Sequence, residues 1–208
     1  MTKKEKVNEV IRRLSKIYQD PMTELVHTSP FELLVATILS AQATDKVVNQ
    51  VTPALFLKLT TPWDFANSSV EEIESFIMKV NFHHNKAISI YKASKVIVEK
   101  YKGEVPDSMD ELTTLPGVAR KTANVVLGDA FGKSEGIAVD THVIRLARRL
   151  GLTDEVDREK IEKDLMRIVP KKYWITFSHL LILTGREYCP ARGKGRKGPC
   201  PLEDLFIY

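Results

Sequence analysis

Apolar side chains recur every three or four residues along most of the chain, the spacing that places them on one face of a helix. The clearest example follows Ser29, which has a capping-box spacing to Glu32 with Pro30 at the first helical position. Ser69 and Ser108 begin the same pattern further along the chain. No stretch alternates with a period of two over a useful length, so the sequence predicts an all-α fold.

Glycine and proline residues mark where the predicted helices end. Pro53 lies inside an apolar pattern, so we expect the segment 45–59 to be kinked or split. The remaining pattern predicts helices over 84–101, 119–131, 141–150, 157–168 and 172–187.

Composition narrows the class of protein without identifying it. Hydrophobic residues make up 43% and charged residues 28% of the 208 residues, as in globular proteins. The net charge of +4 favours nucleic-acid binding only weakly. The charged start of the chain lacks the apolar segment of a signal peptide, and two cysteines do not suggest a secreted disulfide scaffold. We therefore expect a cytoplasmic protein.

The most informative segment covers residues 109–132, where two helical patterns flank Leu115-Pro116-Gly117-Val118. Pro116 cannot continue a helix, and Gly117 permits a backbone geometry that a side chain would hinder. The second helix would then present backbone N–H groups at the positive end of its dipole, which suits a DNA phosphate. From the turn alone, a helical corner without any ligand is an equally good interpretation.

Five segments resemble the helix-hairpin-helix DNA glycosylases, and within them the endonuclease III branch. They are LSAQATD (39–45), GEVP (103–106), LPGVARKTANVVL (115–127), AVDTH (138–142) and LILTGREYC (181–189). The resemblance implies two helical domains with a DNA-binding cleft between them. We expect one block at 22–133, with the hairpin at about 109–128, and a second domain that joins 1–21 to 134–208. The resemblance also implies damaged double-stranded DNA as the binding partner, and we expect the protein to be a monomer.

Lys121 and Asp140 are the candidate catalytic residues. Taken without the resemblance, Lys121 would be a solvated lysine, although the helix dipole and the adjacent Arg120 both disfavour its charged form. The resemblance implies that its amine attacks the sugar and forms a Schiff base. Asp140 stands ahead of a predicted helix and is expected to cap it. The resemblance gives Asp140 a second role, stabilising positive charge on the sugar and helping to activate the nucleophile.

The resemblance also implies residues that contact DNA. Gln42 is expected to enter the space left by a flipped base, and Phe82 to act as an apolar wedge. Around the wedge the chain departs from the family, because Asn81 replaces a glycine and is followed by Phe82-His83-His84 where the family usually has Leu-Tyr. A metal site at the histidines is disfavoured, because no Cys or acidic residue stands nearby at metal-ligand spacing. The expected DNA-binding set is Gln42, Phe82, Leu115, Gly117, Ala119, Arg120, His142, Arg192, Lys194 and Arg196; at Ala119 the family commonly has glycine.

The C-terminal segment lacks a complete iron–sulfur ligand set. Most endonuclease III relatives hold a [4Fe–4S] cluster with four cysteines. This chain keeps Cys189 and Cys200, but Lys197 and Phe206 stand at the other two positions. We therefore expect no cluster, no metal and no cofactor. The apolar end is expected to pack in the place of the cluster; it comprises Leu202, Leu205, Phe206, Ile207 and Tyr208.

The sequence thus predicts a bifunctional DNA glycosylase and abasic-site lyase that removes oxidised pyrimidines through a lysine Schiff base and β-elimination. An alternative keeps the fold but changes the base to mismatched uracil or thymine, or to alkylated purines. A third interpretation, a DNA-binding module without catalysis, is disfavoured because both Lys121 and Asp140 are present.

Overall fold

A computed structural model describes residues 1–191 and 196–207, and it is helical throughout with no strand in these two stretches. The prediction of an all-α fold is confirmed. The α-helices are α1 Lys3–Ile17, α2 Pro30–Ser40, α3 Asp45–Lys58, α4 Pro62–Asn67, α5 Val70–Ile77, α6 His83–Tyr101, α7 Met109–Leu112, α8 Arg120–Phe131, α9 Thr141–Arg149, α10 Arg158–Ile168 and α11 Trp174–Glu187. Short 3₁₀ turns occupy Lys171–Tyr173 and Glu203–Leu205.

Side-chain caps begin the helices where the sequence pattern placed them. The hydroxyls of Ser29, Ser69 and Ser108 each accept a hydrogen bond from the backbone N–H three residues later, at 3.1 to 3.4 Å. The short helix α4 was not predicted, although Thr61 and Asp64 form a complete reciprocal capping box at its start. Capping chemistry therefore sets most of the helix starts in this chain.

Of the kink or split expected at Pro53, the split is excluded. Helix α3 runs unbroken from Asp45 to Lys58 with Pro53 inside it. Val48, Val51 and Leu55 of α3 are buried in the core on both sides of the proline. This burial outweighs the single backbone hydrogen bond that proline cannot make.

The chain divides into two compact units, each with its own hydrophobic core. The hairpin unit is Thr23–Lys133 and contains α2 to α8. Within it, α2 packs against α3, α6 and α8, so α8 is anchored on the most apolar helix of the unit. Phe31 and Phe65 meet edge to face in its core, with ring centroids 5.2 Å apart.

The split unit combines Met1–Met22 with Ser134–Tyr208. Helix α1 packs against α10 and α11, and α9 packs against α11. Val7, Val10 and Leu14 of α1 are fully buried beside Phe177 and Leu180 of α11. In the residues the structure describes, no helix is long and apolar enough to cross a membrane.

Candidate catalytic and DNA-binding residues

The hairpin turn between α7 and α8 requires a glycine for two separate reasons. Gly117 has a φ of +80°, in the left-handed region that side chains disfavour. A Cβ atom at this position would also lie 2.7 Å from the Cβ of Ser89 on α6. The turn is closed by the Val118 N–H, which donates to the Leu115 carbonyl at 3.1 Å. The hairpin is therefore packed directly against α6.

Helix α8 begins without a side-chain cap. Its N-cap residue is Ala119, whose methyl group cannot accept a hydrogen bond from the first turn. Gly117 and Ala119 are exposed, and Arg120 and Lys121 are half-buried at the start of the helix. The positive end of the α8 dipole thus lies beside Lys121. Leu115, by contrast, is only 2% exposed as a whole residue, so it has almost no surface for the predicted DNA contact.

Asp140 caps α9, as expected from the sequence. Its Oδ1 accepts hydrogen bonds from the His142 and Val143 N–H groups at 2.8 and 2.9 Å. The cap does not use Oδ2. The preceding segment is fixed by the buried Ser178 hydroxyl of α11, which donates to the Ala138 carbonyl at 2.7 Å. The carboxylate is therefore oriented by two N–H groups of α9, while α11 holds the backbone two residues before it.

Arg145 ties the helix of Asp140 to the end of α11. Its Nη2 donates to the carbonyls of Gly185 and Cys189 at 3.0 and 2.9 Å, and it lies 3.1 Å from Nδ1 of His142. A Cβ atom on Gly185 would lie 2.8 Å from that same Nδ1. Burial lowers the pKa of His142, and the charge of Arg145 acts in the same direction. His142 therefore uses Nδ1 inside the split unit, and only the other edge of its ring is left for the predicted DNA contact.

Gln42 and Phe82 lie on neighbouring loops of the hairpin unit. Both are exposed and both have a left-handed backbone, with φ of 54° and 58°. Gln42 follows the end of α2, and Phe82 precedes α6 with 60% of its surface exposed. The Asn81 side chain joins the two loops, since its Nδ2 donates to the Gln42 carbonyl at 3.0 Å. Apart from the departure from glycine at Asn81, no pattern along the chain indicates this contact.

His83 and His84 share an acidic partner that the sequence pattern does not indicate. Glu74 of α5 accepts hydrogen bonds from Nδ1 of His83 at 2.7 Å and Nδ1 of His84 at 2.8 Å, one on each carboxylate oxygen. These bonds lower the pKa of the Glu74 carboxyl. Glu74 is thus an acidic partner that local spacing along the chain does not indicate, because it reaches the histidines from a neighbouring helix. No group of three or more metal-binding side chains is present in the described parts of the chain.

Lys86 is a second lysine with an unusual environment. It is 7% exposed, and its amine donates to the carbonyls of Leu39 and Ala41 at 2.7 and 2.5 Å. Burial lowers its pKa. These carbonyls lie at the negative end of α2, where a cation is favoured. Because its amine is buried and bonded to these carbonyls, Lys86 stabilises the C-terminal end of α2 and is not a candidate for attacking a sugar.

The cysteines of the split unit do not fit a [4Fe–4S] cluster, which takes four thiolates. The chain has two cysteines, and Cys189 and Cys200 form a disulfide with their Cα atoms 5.5 Å apart. Both are buried in the core of the split unit. At the other two positions, Lys197 pairs with Glu187, and Phe206 is buried beneath the Arg149 guanidinium at 4.1 Å. Neither of these side chains can supply a thiolate.

Three of the five apolar residues at the C-terminal end are buried in the split unit. Leu202, Leu205 and Phe206 are buried, but Ile207 is 57% exposed and lies over Gly151, so its predicted burial is wrong. A Cβ atom on Gly151 would lie 2.9 Å from a side-chain carbon of Ile207, so Ile207 packs directly over Gly151 at the surface. Of the basic loop, Arg196 is exposed. Arg192, Lys194 and Tyr208 lie outside the described residues.

Residues 35–171 match the family described as the HhH-GPD superfamily of base excision DNA repair proteins. Curated relatives match nearly the whole chain. Endonuclease III of Synechocystis is 49% identical over 98% of this chain and 93% of its own length. Endonuclease III of Escherichia coli is 42% identical over 96% of this chain and 94% of its own length.

Solved structures match equally completely. A trapped endonuclease III–DNA covalent intermediate is 44% identical, with a TM-score of 0.90 over 99% of this chain and 96% of that one. A non-covalent endonuclease III–DNA complex gives the same values. A thermostable thymine-DNA glycosylase has a TM-score of 0.85 at 20% identity, covering 98% and 96% of the two chains, so it shares the fold alone.

Proposed function

The chain belongs to the HhH-GPD superfamily of base excision DNA repair proteins, and we propose that Lys121 and Asp140 carry out its reaction. The protein is a DNA N-glycosylase with abasic-site lyase activity that acts on damaged double-stranded DNA. The observation that supports the residue assignment best is the placement of Lys121 in the uncapped first turn of α8. The amine of Lys121 is thus part of the same hairpin that we propose to bind DNA.

Lys121 serves as the nucleophile in this proposal. Its amine attacks the sugar carbon that bears the damaged base, and the base leaves with the electron pair of the glycosidic bond. The opened sugar and the amine form an imine, and β-elimination then breaks the strand. The positive end of the α8 dipole and the neighbouring Arg120 both favour the neutral amine that the attack requires.

Asp140 supplies negative charge for the same step. Its carboxylate is oriented through Oδ1 by two backbone N–H groups, so Oδ2 is available at a fixed position. As the base departs, positive charge develops on the sugar, and a preorganised carboxylate stabilises that charge without having to reorient. The cap of α9 is thus part of the proposed catalytic arrangement.

Gln42 and Phe82 open the duplex. Flipping a base out of the stack costs a few kcal/mol, and side chains that fill the vacated space offset part of that cost. Both residues are exposed on adjoining loops, which suits insertion into DNA. The exposed hairpin residues and Arg196 contact phosphates, which fix the register without reading sequence.

For the damaged base we propose oxidised pyrimidines, on the strength of the extended similarity to the endonuclease III branch. Mismatched thymine or uracil and alkylated purines are the alternatives. We also propose that the enzyme works without an iron–sulfur cluster, because its residues supply only two of four thiolates. We also propose a cytoplasmic location, because the enzyme acts on DNA and the bacteria named above keep their chromosome in the cytoplasm.

Borohydride trapping tests the role of Lys121. Borohydride reduces an imine to a stable amine, so wild-type protein should become covalently attached to a duplex with an abasic site. Lys121→Gln should abolish both trapping and strand cleavage. Lys133→Gln is the matched control, because it removes an exposed lysine just beyond the same helix and should trap fully. Full trapping by Lys121→Gln would overturn the assignment.

Asp140→Asn tests the carboxylate separately from the cap. Asn keeps an acceptor for the α9 N–H groups but removes the charge, so base release should slow by about a hundredfold or more. Trapping on a preformed abasic site should suffer less, because the base has already left. Asp157→Asn is the control, since Asp157 caps α10 of the same unit through two N–H groups at 3.1 Å. Equal losses in both variants would mean that Asp140 only stabilises its helix.

A further inference from the structure

A side-chain hydrogen bond joins the two loops that carry Gln42 and Phe82. Asn81 Nδ2 donates to the Gln42 carbonyl at 3.0 Å, although the residues are 39 positions apart. Asn81 directly precedes Phe82, so the bond connects the backbone of one loop to the residue adjoining the tip of the other. Glycine at this position, which the related enzymes commonly have, has no side chain to make the bond.

Other side chains also support these loops, and one of them, Lys86, lies in the first turn of α6, where its N–H donates to the Phe82 carbonyl at 3.1 Å. The buried Lys86 amine holds the Gln42 loop by bonding the Leu39 and Ala41 carbonyls. Glu74 holds the Phe82 loop by bonding His83 and His84 with its two oxygens. Both supports lie within the hairpin unit. The Asn81 bond therefore adds to this support and acts on the Gln42 carbonyl itself.

We propose that Asn81 is a positioning residue that locks Gln42 and Phe82 into a single preformed wedge for opening the duplex. This inference rests on the proposed insertion of both side chains into DNA. Gln42 and Phe82 both have a positive φ, which non-glycine residues adopt only when the surroundings impose it. A bond to the Gln42 carbonyl restrains that peptide directly. The wedge then enters the duplex without first having to order its loops.

Single-turnover base release measures this role. Asn81→Ala should slow release of a damaged base from a fully paired duplex by about fivefold, the rate equivalent of one neutral hydrogen bond. Asn67→Ala is the matched control, because it removes an exposed asparagine of the same unit and should change nothing. When the lesion lies in an unpaired bubble, the Asn81→Ala defect should disappear, because no duplex has to be opened.

A double-mutant cycle separates positioning from a general effect on the fold. Gln42→Gly removes the inserted side chain but keeps the carbonyl that accepts from Asn81, and glycine adopts the positive φ readily. If Asn81 acts through Gln42, adding Asn81→Ala to Gln42→Gly should slow release by less than twofold further. A full additional loss in that background, or an equal loss on the bubble, would show a merely structural role and overturn the inference.

The outcome also distinguishes this inference from the proposed function. If the wild type traps on abasic DNA through Lys121 but Asn81→Ala releases paired lesions at the wild-type rate, the lock is wrong and the enzyme assignment stands. If the wild type releases no base and traps on no abasic site, the proposed function fails before the wedge is tested.

Discussion

Replacing Gly117 with alanine should destabilise the hairpin unit and weaken DNA binding together. An alanine at φ +80° meets the backbone penalty of the left-handed region, about 1–2 kcal/mol. Its Cβ would lie 2.7 Å from the Ser89 Cβ, about 1 Å inside normal carbon–carbon contact. Relieving that clash adds about 1–3 kcal/mol, the usual cost of overpacking. Together the two effects should lower the free energy of unfolding by about 2–5 kcal/mol.

Gly132→Ala isolates the backbone part of this cost. Gly132 also has a positive φ, +64°, but a Cβ there would meet nothing within 4 Å. Gly132→Ala should therefore lower the free energy of unfolding by only about 1–2 kcal/mol. Urea denaturation of both variants, followed by circular dichroism, gives the difference directly. Adding Ser89→Gly to Gly117→Ala should recover part of the steric cost, since the clashing atom is removed.

Binding of undamaged duplex, measured by fluorescence anisotropy, gives a second readout. Gly117→Ala should bind about tenfold more weakly, or about 1.4 kcal/mol, because the turn that presents the α8 amides is displaced. Gly132→Ala, at the opposite end of α8, should bind like the wild type. If the two alanine variants are equally stable and bind equally well, the close approach of the turn to α6 does not constrain the hairpin.

Three further outcomes are expected. Burial lowers the folded pKa of His142 below its ordinary value of 6.5, so neutral His142 should contribute stability that is fully present above pH 6.5 and is lost as the pH falls from there through the folded pKa. The urea midpoint of the wild type should therefore fall more than that of His142→Gln between pH about 8 and pH about 5.5, and equal falls would contradict this. Ser178→Ala should cost about 1–3 kcal/mol by leaving the buried Ala138 carbonyl unpaired, and it should slow base release more than it weakens binding to an abasic site; unaltered release would show that this bond does not orient Asp140. Protein purified without oxygen should contain no stoichiometric iron, whereas bound iron with an iron–sulfur absorption would overturn the proposed absence of a cluster.

Local signals in the sequence predicted the parts of the structure that local physics determines. Ser29, Ser69 and Ser108 cap helices because a hydroxyl can reach an N–H three residues away in any context. Asp140 caps α9 for the same reason. Pro53 does not split α3, because the local cost of the proline is outweighed by burial that depends on the assembled core.

Contacts between distant segments could not be predicted in this way. The bond from Asn81 to the Gln42 carbonyl depends on how two loops meet, and no spacing along the chain encodes it. Glu74 was overlooked because it reaches the histidines from a neighbouring helix. The identity of Lys121 as a candidate nucleophile came from its resemblance to a family, since a lysine in a first helical turn is by itself unremarkable.

The connectivity of the split unit affects the order in which the protein can fold during synthesis. Helix α1 is made well before α10 and α11, yet its buried residues Val7, Val10 and Leu14 belong to the core that it forms with them. Its Lys6 and Arg13 side chains likewise bond to carbonyls in the final residues described. The hairpin unit is one continuous segment and can fold as soon as it emerges. Until α10 and α11 have been made, the apolar face of α1 has no partner from these two helices, so the core of the split unit is completed after the hairpin unit can fold.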